Sequence, residues 1–277
     1  MRATTSTNNI LRPQEAATRI DLRRYPAPPE LGRYVERFWA VHWDLDEPYE
    51  VELIPQPCVN VTFLPVLGGE VHGVGTRTSK HPLAGRGQVF GVKFRPGGFA
   101  AYRHVSAAAF TDRSTPLREV FGASADELAE AVLATPDDER RIDLVTAYLR
   151  RRLTVDDTTY QQVLRAVAVM LDDRTITRVD QAAERCGMSP RTLQRLFRRY
   201  VGVGPKWVIR RYRMHDGAER LASGTVDDPA ALAVELGWFD QAHFTRDFSA
   251  LIGMSPVEYA NACAAAGDRE PSVVLTA

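Results

Sequence analysis

The sequence has few cysteines, and their positions argue against both a disulfide-bonded fold and a zinc-bound fold. Only three occur in 277 residues, at Cys58, Cys186 and Cys263. An odd number of cysteines so far apart in the chain does not make a disulfide framework. None of them has a partner at the spacing of a zinc-binding pair. We therefore expect no disulfide, no metal site and a reducing compartment, the cytoplasm.

Long apolar runs are missing too. No stretch approaches the roughly 18 apolar residues that a membrane-spanning helix needs, and the first twenty residues lack the apolar core of a secretion signal. With 44% hydrophobic and 25% charged residues, the composition is typical of a soluble globular protein. We expect no membrane partner, and no sequence motif predicts a cofactor.

The chain also lacks an overall excess of charge, since 35 basic residues balance 35 acidic ones. One segment departs from this balance. Between Arg185 and Arg220 there are ten basic residues, opposed only by Asp216 and Glu219. A local excess of positive charge predicts a surface that attracts a polyanion such as a nucleic acid.

Two patterns of hydrophobic residues divide the chain. From about residue 25 to 110, short alternating runs such as "VNVTF" and "VFGVKF" are separated by glycines, which is typical of a small barrel or sandwich. From Ser124 onward the spacing becomes helical. We predict an α+β protein, in which a β-rich barrel or sandwich with flanking helices precedes an all-α domain. The predicted divisions are a disordered tail over 1–20, the β-rich domain over 21–153, a linker over 154–159, the all-α domain over 160–266 and a flexible tail over 267–277.

The last hundred residues contain an internal repeat. Residues 193–197 match residues 244–248 at an offset of 51, whereas Gly187 matches Gly237 at an offset of 50. The second copy therefore has one extra residue in its turn. In each copy an Ala-x3-Gly phrase precedes an amphipathic helix. Because alanine lets two helices cross closely and glycine permits the left-handed end of a helix, each copy is predicted to be a helix-turn-helix.

The second helix of each copy carries polar residues on the face opposite its apolar stripe. Ser189 and Asp240 are the predicted N-caps. Arginine and glutamine can pair with guanine and adenine edges, and alanine or threonine methyls can touch a thymine methyl. An amphipathic basic helix is often only a solvated face, but two matching copies favour DNA binding. The candidate DNA-binding residues are Arg191, Thr192, Gln194, Arg195, Arg198 and Arg199 in the first copy, and Gln241, Ala242, Thr245 and Arg246 in the second.

The segment from about residue 160 to 260 closely resembles the AraC/XylS family of bacterial transcription regulators. The resemblance rests on "VDQAAERCGMSPRTLQRLFRRYVGVGP" and "ALAVELGWFDQAHFTRDFSALIGMSPVEY". It implies a domain of seven helices with two helix-turn-helix units, whose second helices enter adjacent major-groove segments of double-stranded DNA. There are two departures from the family pattern: Trp238 stands where phenylalanine is usual, and Ala260 where arginine is common.

Members of this family usually carry a sensing or dimerising domain ahead of the DNA-binding region. Here "ELIPQPCVNVTF" and "GQVFGVKFRPGGF" resemble an uncharacterised domain found in some of them. The resemblance implies a small-molecule effector, a homodimer and, for an activator, RNA polymerase as a partner. Candidate effector contacts are Trp39, Trp43 and Arg95, because aromatic rings line pockets and an arginine beside a helix N-terminus attracts anions. The alternative is that the tryptophans are core residues and that Arg95 lies in an ordinary turn.

Two other functions remain open at this stage. The protein could bind DNA and dimerise without any effector. It could also be a DNA-repair protein that transfers an alkyl group to Cys58, although "PQPCVN" lacks the histidine expected after such a cysteine. A metal site could in principle be formed by six scattered residues, but their spacings match no metal-binding motif: His42, Glu52, Cys58, His72, His81 and His104. We therefore predict a regulator that is not an enzyme.

Overall fold

A bent antiparallel sheet forms the amino-terminal half of the protein. The computed structural model describes residues 9–102, 105–153, 158–226 and 228–267. Across the sheet, the strands of this described part run in the order β1-β2-β5-β3-β4-β6. They are β1 (Asp21–Pro26), β2 (Val35–Leu53), β3 (Asn60–Leu64), β4 (Gly68–His72), β5 (Ser79–Phe94) and β6 (Ser114–Pro116). The two longest strands, β2 and β5, pair along their length with a register shift between Leu45 and Tyr49 that bends them.

One face of the sheet carries buried phenylalanines, and the other carries tryptophans that lie across from glycines. Phe38, Phe63 and Phe90 are almost fully buried on the apolar face. On the opposite face, Trp39 lies across from Gly91 on β5, and Trp43 lies across from Gly87. A Cβ atom on Gly91 would stand 2.3 Å from the Trp39 ring, so the indole occupies the space that glycine leaves. The two tryptophans are therefore cross-strand packing residues.

Short helices flank this sheet. They are α1 (Pro13–Ala17), α2 (Leu117–Phe121), α3 (Ser124–Ala134) and α4 (Asp138–Arg150), with two 3₁₀ helices at Gly98–Tyr102 and Ala107–Phe110. Helix α1 lies within the stretch that the sequence predicted to be a disordered tail. That prediction is wrong for residues 9–20, because Leu11, Ala16 and Ile20 bury apolar side chains in the fold. Residues 1–8 lie outside the described part.

The carboxyl-terminal region is entirely helical. Its described helices are α5 (Thr158–Asp172), α6 (Val179–Arg185), α7 (Pro190–Tyr200), α8 (Pro205–Ala222), α9 (Pro229–Glu235), α10 (Gln241–Ile252) and α11 (Pro256–Gly267). These seven helices after a β-rich region confirm the predicted α+β fold class. Residues 154–157 of the predicted linker and residues 268–277 of the predicted tail lie outside the described part.

The first helix-turn-helix unit shares a continuous hydrophobic core with the sheet. Tyr160 of α5 stacks on Tyr34 with ring centroids 5.3 Å apart, and its hydroxyl donates to the Arg33 carbonyl at 2.9 Å. Gly97, at a φ of +79°, lets the chain pass close to Tyr160 and Tyr200 of α7. Residues of α5, α7 and α8 thus belong to the same buried cluster as the strands.

The second unit has a core of its own, which also reaches the amino-terminal half. Phe244 and Phe248 of α10 are completely buried in it, and Leu11 and Ile54 join the same cluster. In addition, the Thr78 hydroxyl donates to the Leu251 carbonyl at the end of α10. The amino-terminal half therefore contacts both units.

Two hydroxyls of the amino-terminal half bond to the carboxyl end of α7, and they form a matched pair for a test. Thr111 donates to the Gly202 carbonyl at 2.8 Å in a partly buried place, whereas Ser106 donates to the Arg198 carbonyl at 3.3 Å in an exposed one. We expect Thr111→Val to lower the free energy of unfolding by about 1 kcal/mol, because the carbonyl loses its partner away from water. Ser106→Ala should change it by no more than a few tenths of a kcal/mol. Urea unfolding followed by tryptophan fluorescence measures both, and equal losses would contradict this account of the interface.

Candidate nucleic-acid interface

Both copies of the repeat make the same turn between their two helices. After α6, Gly187 has a φ of +65° and the Met188 N–H donates to the Ala183 carbonyl at 3.0 Å. After α9, Gly237 has a φ of +87° and the Trp238 N–H donates to the Ala233 carbonyl at 2.9 Å. Left-handed glycines with this bonding end a helix abruptly and turn the chain. The two predicted helix-turn-helix units are confirmed.

The second helix of each unit begins with a side-chain cap. The Ser189 hydroxyl accepts from the Thr192 N–H at 3.2 Å at the start of α7. The Asp240 carboxylate accepts from the His243 N–H at 2.7 Å at the start of α10. Both predicted N-caps are correct. Such caps fix the first turn of the helix, the part that enters a DNA groove.

The exposed and buried faces of these helices agree with the pattern predicted from helical spacing. Leu193, Leu196 and Phe197 of α7 are buried. On the other side of α7, Thr192 is half-buried, and the exposed residues are Arg191, Gln194, Arg195, Arg198 and Arg199. On α10, Gln241, Ala242 and Arg246 are exposed and Thr245 is half-buried. The candidate side chains of each helix therefore share one accessible face.

The cations on α7 line a single concave surface of about 780 Å³. We call it the α7 basic surface; it includes Arg191, Gln194, Arg195, Arg198, Arg199 and Lys206, with Ser106 of the amino-terminal half at its edge. Within the described part of the chain, the structure gives its cations no acidic partner. Their positive charge and their hydrogen-bond donors are available to an anionic polymer.

The remaining cations counted between residues 185 and 220 serve other purposes. Arg185 pairs with Asp173 at 2.6 Å, and Arg220 forms a two-pronged bond with Glu235 at 2.7 and 2.9 Å. Arg210 pairs with Asp247. The acidic partners lie outside the counted segment, so the count overstated the local excess of charge. What remains is concentrated on α7.

Two arginines of α8 point inward, where they are buried. Arg211 donates to the Pro55 carbonyl, and burial lowers its pKa to about 10. Arg213 donates to the carbonyls of Met170 and Asp173, each at 3.0 Å. The first bond ties α8 to the amino-terminal half, and the second pair closes the end of α5. Both arginines are structural.

Asp247 organises the second unit rather than weakening its charge. Its carboxylate accepts from the Trp238 indole N–H at 2.6 Å, and it pairs with Arg210 and with His243, the latter at 3.3 Å. Trp238 also packs edge-on against Phe244, with centroids 5.2 Å apart. The unusual tryptophan at this position thus gains a hydrogen bond that phenylalanine could not make.

The three candidate effector contacts lie in different surroundings. Trp43 lines an open pocket of about 870 Å³ together with His42 and Arg86, but Trp39 and Arg95 do not line it. Arg95 is buried at the far end of β5, where its Nε donates to the Gly32 carbonyl at 2.7 Å. Arg95 therefore holds a turn beside the shared core.

The described residues lack two other features. They contain no group of three or more histidine, cysteine, aspartate or glutamate side chains placed to hold a metal ion. His104, one of the scattered histidines, lies outside the described part. No helix among the described residues is both long and apolar enough to cross a membrane.

The bonds to Asp247 generate a prediction about the second unit. We expect Asp247→Ala to destabilise the protein by about 1.5–3 kcal/mol, because it removes hydrogen bonds to a charged group and leaves Arg210 without its partner. Trp238→Phe, which removes the indole donor and part of a buried ring, should cost about 2–3 kcal/mol. Thermal unfolding at several salt concentrations measures both. Only the loss caused by Asp247→Ala should shrink as the salt concentration rises, because salt screens its pair with Arg210; a loss that does not depend on salt would show that this pair contributes nothing.

Comparison with known proteins agrees with this geometry. Residues 182–262 match the model of a helix-turn-helix domain, and residues 23–116 match that of a domain of unknown function (DUF6597). An HTH-type transcriptional regulator of Mycobacterium tuberculosis is 33% identical over 87 residues, which are 31% of this chain and 33% of that protein. An uncharacterized HTH-type transcriptional regulator of Haemophilus influenzae is 26% identical over 93 residues, which are 34% of this chain and 31% of that protein. The chain thus spans about a third of the length of the curated relatives it matches.

Among solved structures, a transcriptional regulator with an AraC-type DNA-binding domain from Chromobacterium violaceum is 22% identical, with a TM-score of 0.35. The match covers 38% of this chain and 95% of that one. From the matched family models, the chain carries a helix-turn-helix domain over residues 182–262 and a domain of unknown function ahead of it.

Proposed function

We propose that the protein is a transcription regulator that binds specific sequences of double-stranded DNA through both helix-turn-helix units. The observation that supports this most strongly is the α7 basic surface, an accessible set of cations beside a capped recognition helix. The repeat of the same turn and cap before α10 supplies a second reading helix. Phosphate neutralisation by arginine and lysine provides affinity, and contacts to base edges provide specificity.

The residues of α7 divide into two roles in this proposal. Arg191, Gln194 and Arg195 lie in the first half of the helix, which enters the groove, and they read bases. Arg198 and Arg199 lie a turn further on and contact phosphates. On α10 the corresponding readers are Gln241, Ala242, Thr245 and Arg246. The Arg246 side chain rests against its own helix, with its Nε 3.4 Å from the Ala242 carbonyl, and extends when DNA binds.

The amino-terminal half is proposed to bind a small-molecule effector. Its contacts with both units supply the physical route, since a ligand that shifts the sheet also shifts α7 and α8 through the shared core. The open pocket beside Trp43 is the candidate site among the described residues. By thermodynamic linkage, a ligand that changes the affinity of the protein for its operator has its own affinity for the protein changed by the same factor when the operator is bound.

This part of the proposal has its own test. Small metabolites are screened for those that raise the melting temperature of the full chain, and each is then added to an operator-binding titration. We expect at least one to change the operator Kd, and Trp43→Ala to abolish both effects. Ligands that raise the melting temperature of wild type and Trp43→Ala alike would place the effector elsewhere.

The alternative of alkyl transfer to a cysteine finds no support. Cys58 is 2% exposed, and burial raises the pKa of its thiol to about 12. Alkyl transfer requires an accessible thiolate, which such a site does not provide. The proposal therefore describes a regulator without enzymatic activity. A cytoplasmic location, a homodimer and contact with RNA polymerase in the case of an activator belong to the same proposal.

The division of roles on α7 predicts different effects for two arginines. Arg195→Ala should weaken binding to a selected operator by about 1–3 kcal/mol while barely changing affinity for random DNA, because a lost base contact affects only the correct sequence. Arg199→Ala should weaken both and lower the salt slope of log K by about one unit, because it removes one phosphate contact. Titrations at several salt concentrations on both DNAs measure these effects.

Glu184→Ala serves as the control, because Glu184 is exposed on α6, outside the α7 basic surface. The proposal fails if the folded wild type shows no salt-sensitive binding to any selected DNA. The assignment of roles fails if Arg195→Ala and Arg199→Ala weaken operator and random DNA equally.

A further inference from the structure

The extra residue in the second turn can be identified from the bonding of the two copies. In the first unit, only Met188 separates Gly187 from the N-cap Ser189. In the second unit, Trp238 and Phe239 separate Gly237 from the N-cap Asp240. Met188 and Trp238 are equivalent, since each donates its N–H to the alanine carbonyl five residues earlier. Phe239 is therefore the inserted residue.

Phe239 is unusual among the aromatic residues of the protein. Its side chain is 88% exposed, whereas every other tryptophan, tyrosine and phenylalanine in the described ranges is buried or half-buried. Trp238 already fills the apolar place behind the turn, where it is 6% exposed. Because hydrophobic stabilisation requires removal of apolar surface from water, the Phe239 ring contributes almost nothing to folding.

Its position relates it to α10. Phe239 immediately precedes the N-cap Asp240, and the next two residues, Gln241 and Ala242, are exposed as well. In a helix-turn-helix, the N-terminal residues of the second helix are the ones that meet base edges. The exposed ring therefore stands at the end of α10 that faces the floor of the major groove.

We propose that Phe239 is a specificity-determining residue that packs its ring against the C5-methyl group of a thymine in the part of the operator read by α10. This rests on the proposed function. A phenyl ring has no hydrogen-bonding group, and the thymine methyl is the apolar feature that base pairs present in the major groove. Ala242, also without polar side-chain atoms, extends the same apolar patch.

The composition of α10 fits this assignment. Its only arginine or lysine is Arg246, whereas the α7 basic surface carries Arg191, Arg195, Arg198, Arg199 and Lys206. The two units thus recognise DNA by different chemistry. The first relies on charge and hydrogen bonds, and the second adds apolar contact with thymine methyls.

Replacement of thymine by uracil, which lacks the C5-methyl group, provides the test. An operator is selected from random DNA with the full-length protein, and each thymine in the segment assigned to α10 is replaced in turn. Wild type, Phe239→Ala, Phe239→Leu and the control Leu67→Ala are titrated with each DNA. Leu67 is 59% exposed in the turn between β3 and β4, away from both units.

We expect one thymine-to-uracil replacement to weaken wild-type binding about fourfold, the effect of removing one buried methyl-sized group. Phe239→Ala should bind the thymine operator about fourfold more weakly than wild type and should not respond to that replacement. Phe239→Leu should keep part of the response, and Leu67→Ala all of it. Urea unfolding should show Phe239→Ala to be as stable as wild type, because the ring is exposed.

The inference is overturned if wild type and Phe239→Ala respond equally to every replacement, or if Phe239→Ala binds the operator as tightly as wild type. A change in self-association without a change in DNA affinity would likewise overturn it and assign the ring to a protein contact. These results differ from a failure of the proposed function, in which wild type selects no operator at all.

Discussion

The position of the first helix-turn-helix unit depends on the contact that Tyr160 makes with the sheet. Its ring stacks on Tyr34, its hydroxyl bonds to the Arg33 carbonyl, and burial raises its pKa well above the usual value for tyrosine. Gly97, in a left-handed conformation and without a side chain, lets the chain pass close to the Tyr160 ring. Because α5, α7 and the strands share one core, α7 is held against the amino-terminal half. A domain of unknown function and the second helix of a helix-turn-helix unit are thereby joined through one core.

The local features of the carboxyl-terminal region could be predicted because they arise from nearby residues. Ser189 and Asp240 act as N-caps through bonds to N–H groups three residues later. Gly187 and Gly237 end helices through their own backbone conformation. The exposed faces of α7 and α10 follow from helical spacing alone. The predicted fold class was correct for the same reason.

Features that depend on distant residues could not be predicted. Burial of Arg211 requires the Pro55 carbonyl, and pairing of Arg210 requires Asp247. The bond of Arg95 to the Gly32 carbonyl likewise joins two turns of the amino-terminal half. The helix at residues 13–17 was missed because its burial depends on contacts with the sheet hairpin. One signal in the sequence did indicate the extra residue in the second turn, where Phe239 lies: the repeat offset changes from 50 to 51.

Under the proposed function, the α8 helix limits which DNA sites the protein can occupy. It runs unbroken for 18 residues between the two units, a length of about 27 Å at 1.5 Å per residue. The bonds of Arg211 and Arg213 hold this helix on both sides, so it keeps a fixed distance and orientation between the two units. A single base pair inserted between the two half-sites turns one around the DNA axis by roughly 35° relative to the other. A helix held in this way cannot follow that rotation, so under the proposed function the spacing between the half-sites determines which DNA sites the protein binds, in addition to the bases themselves.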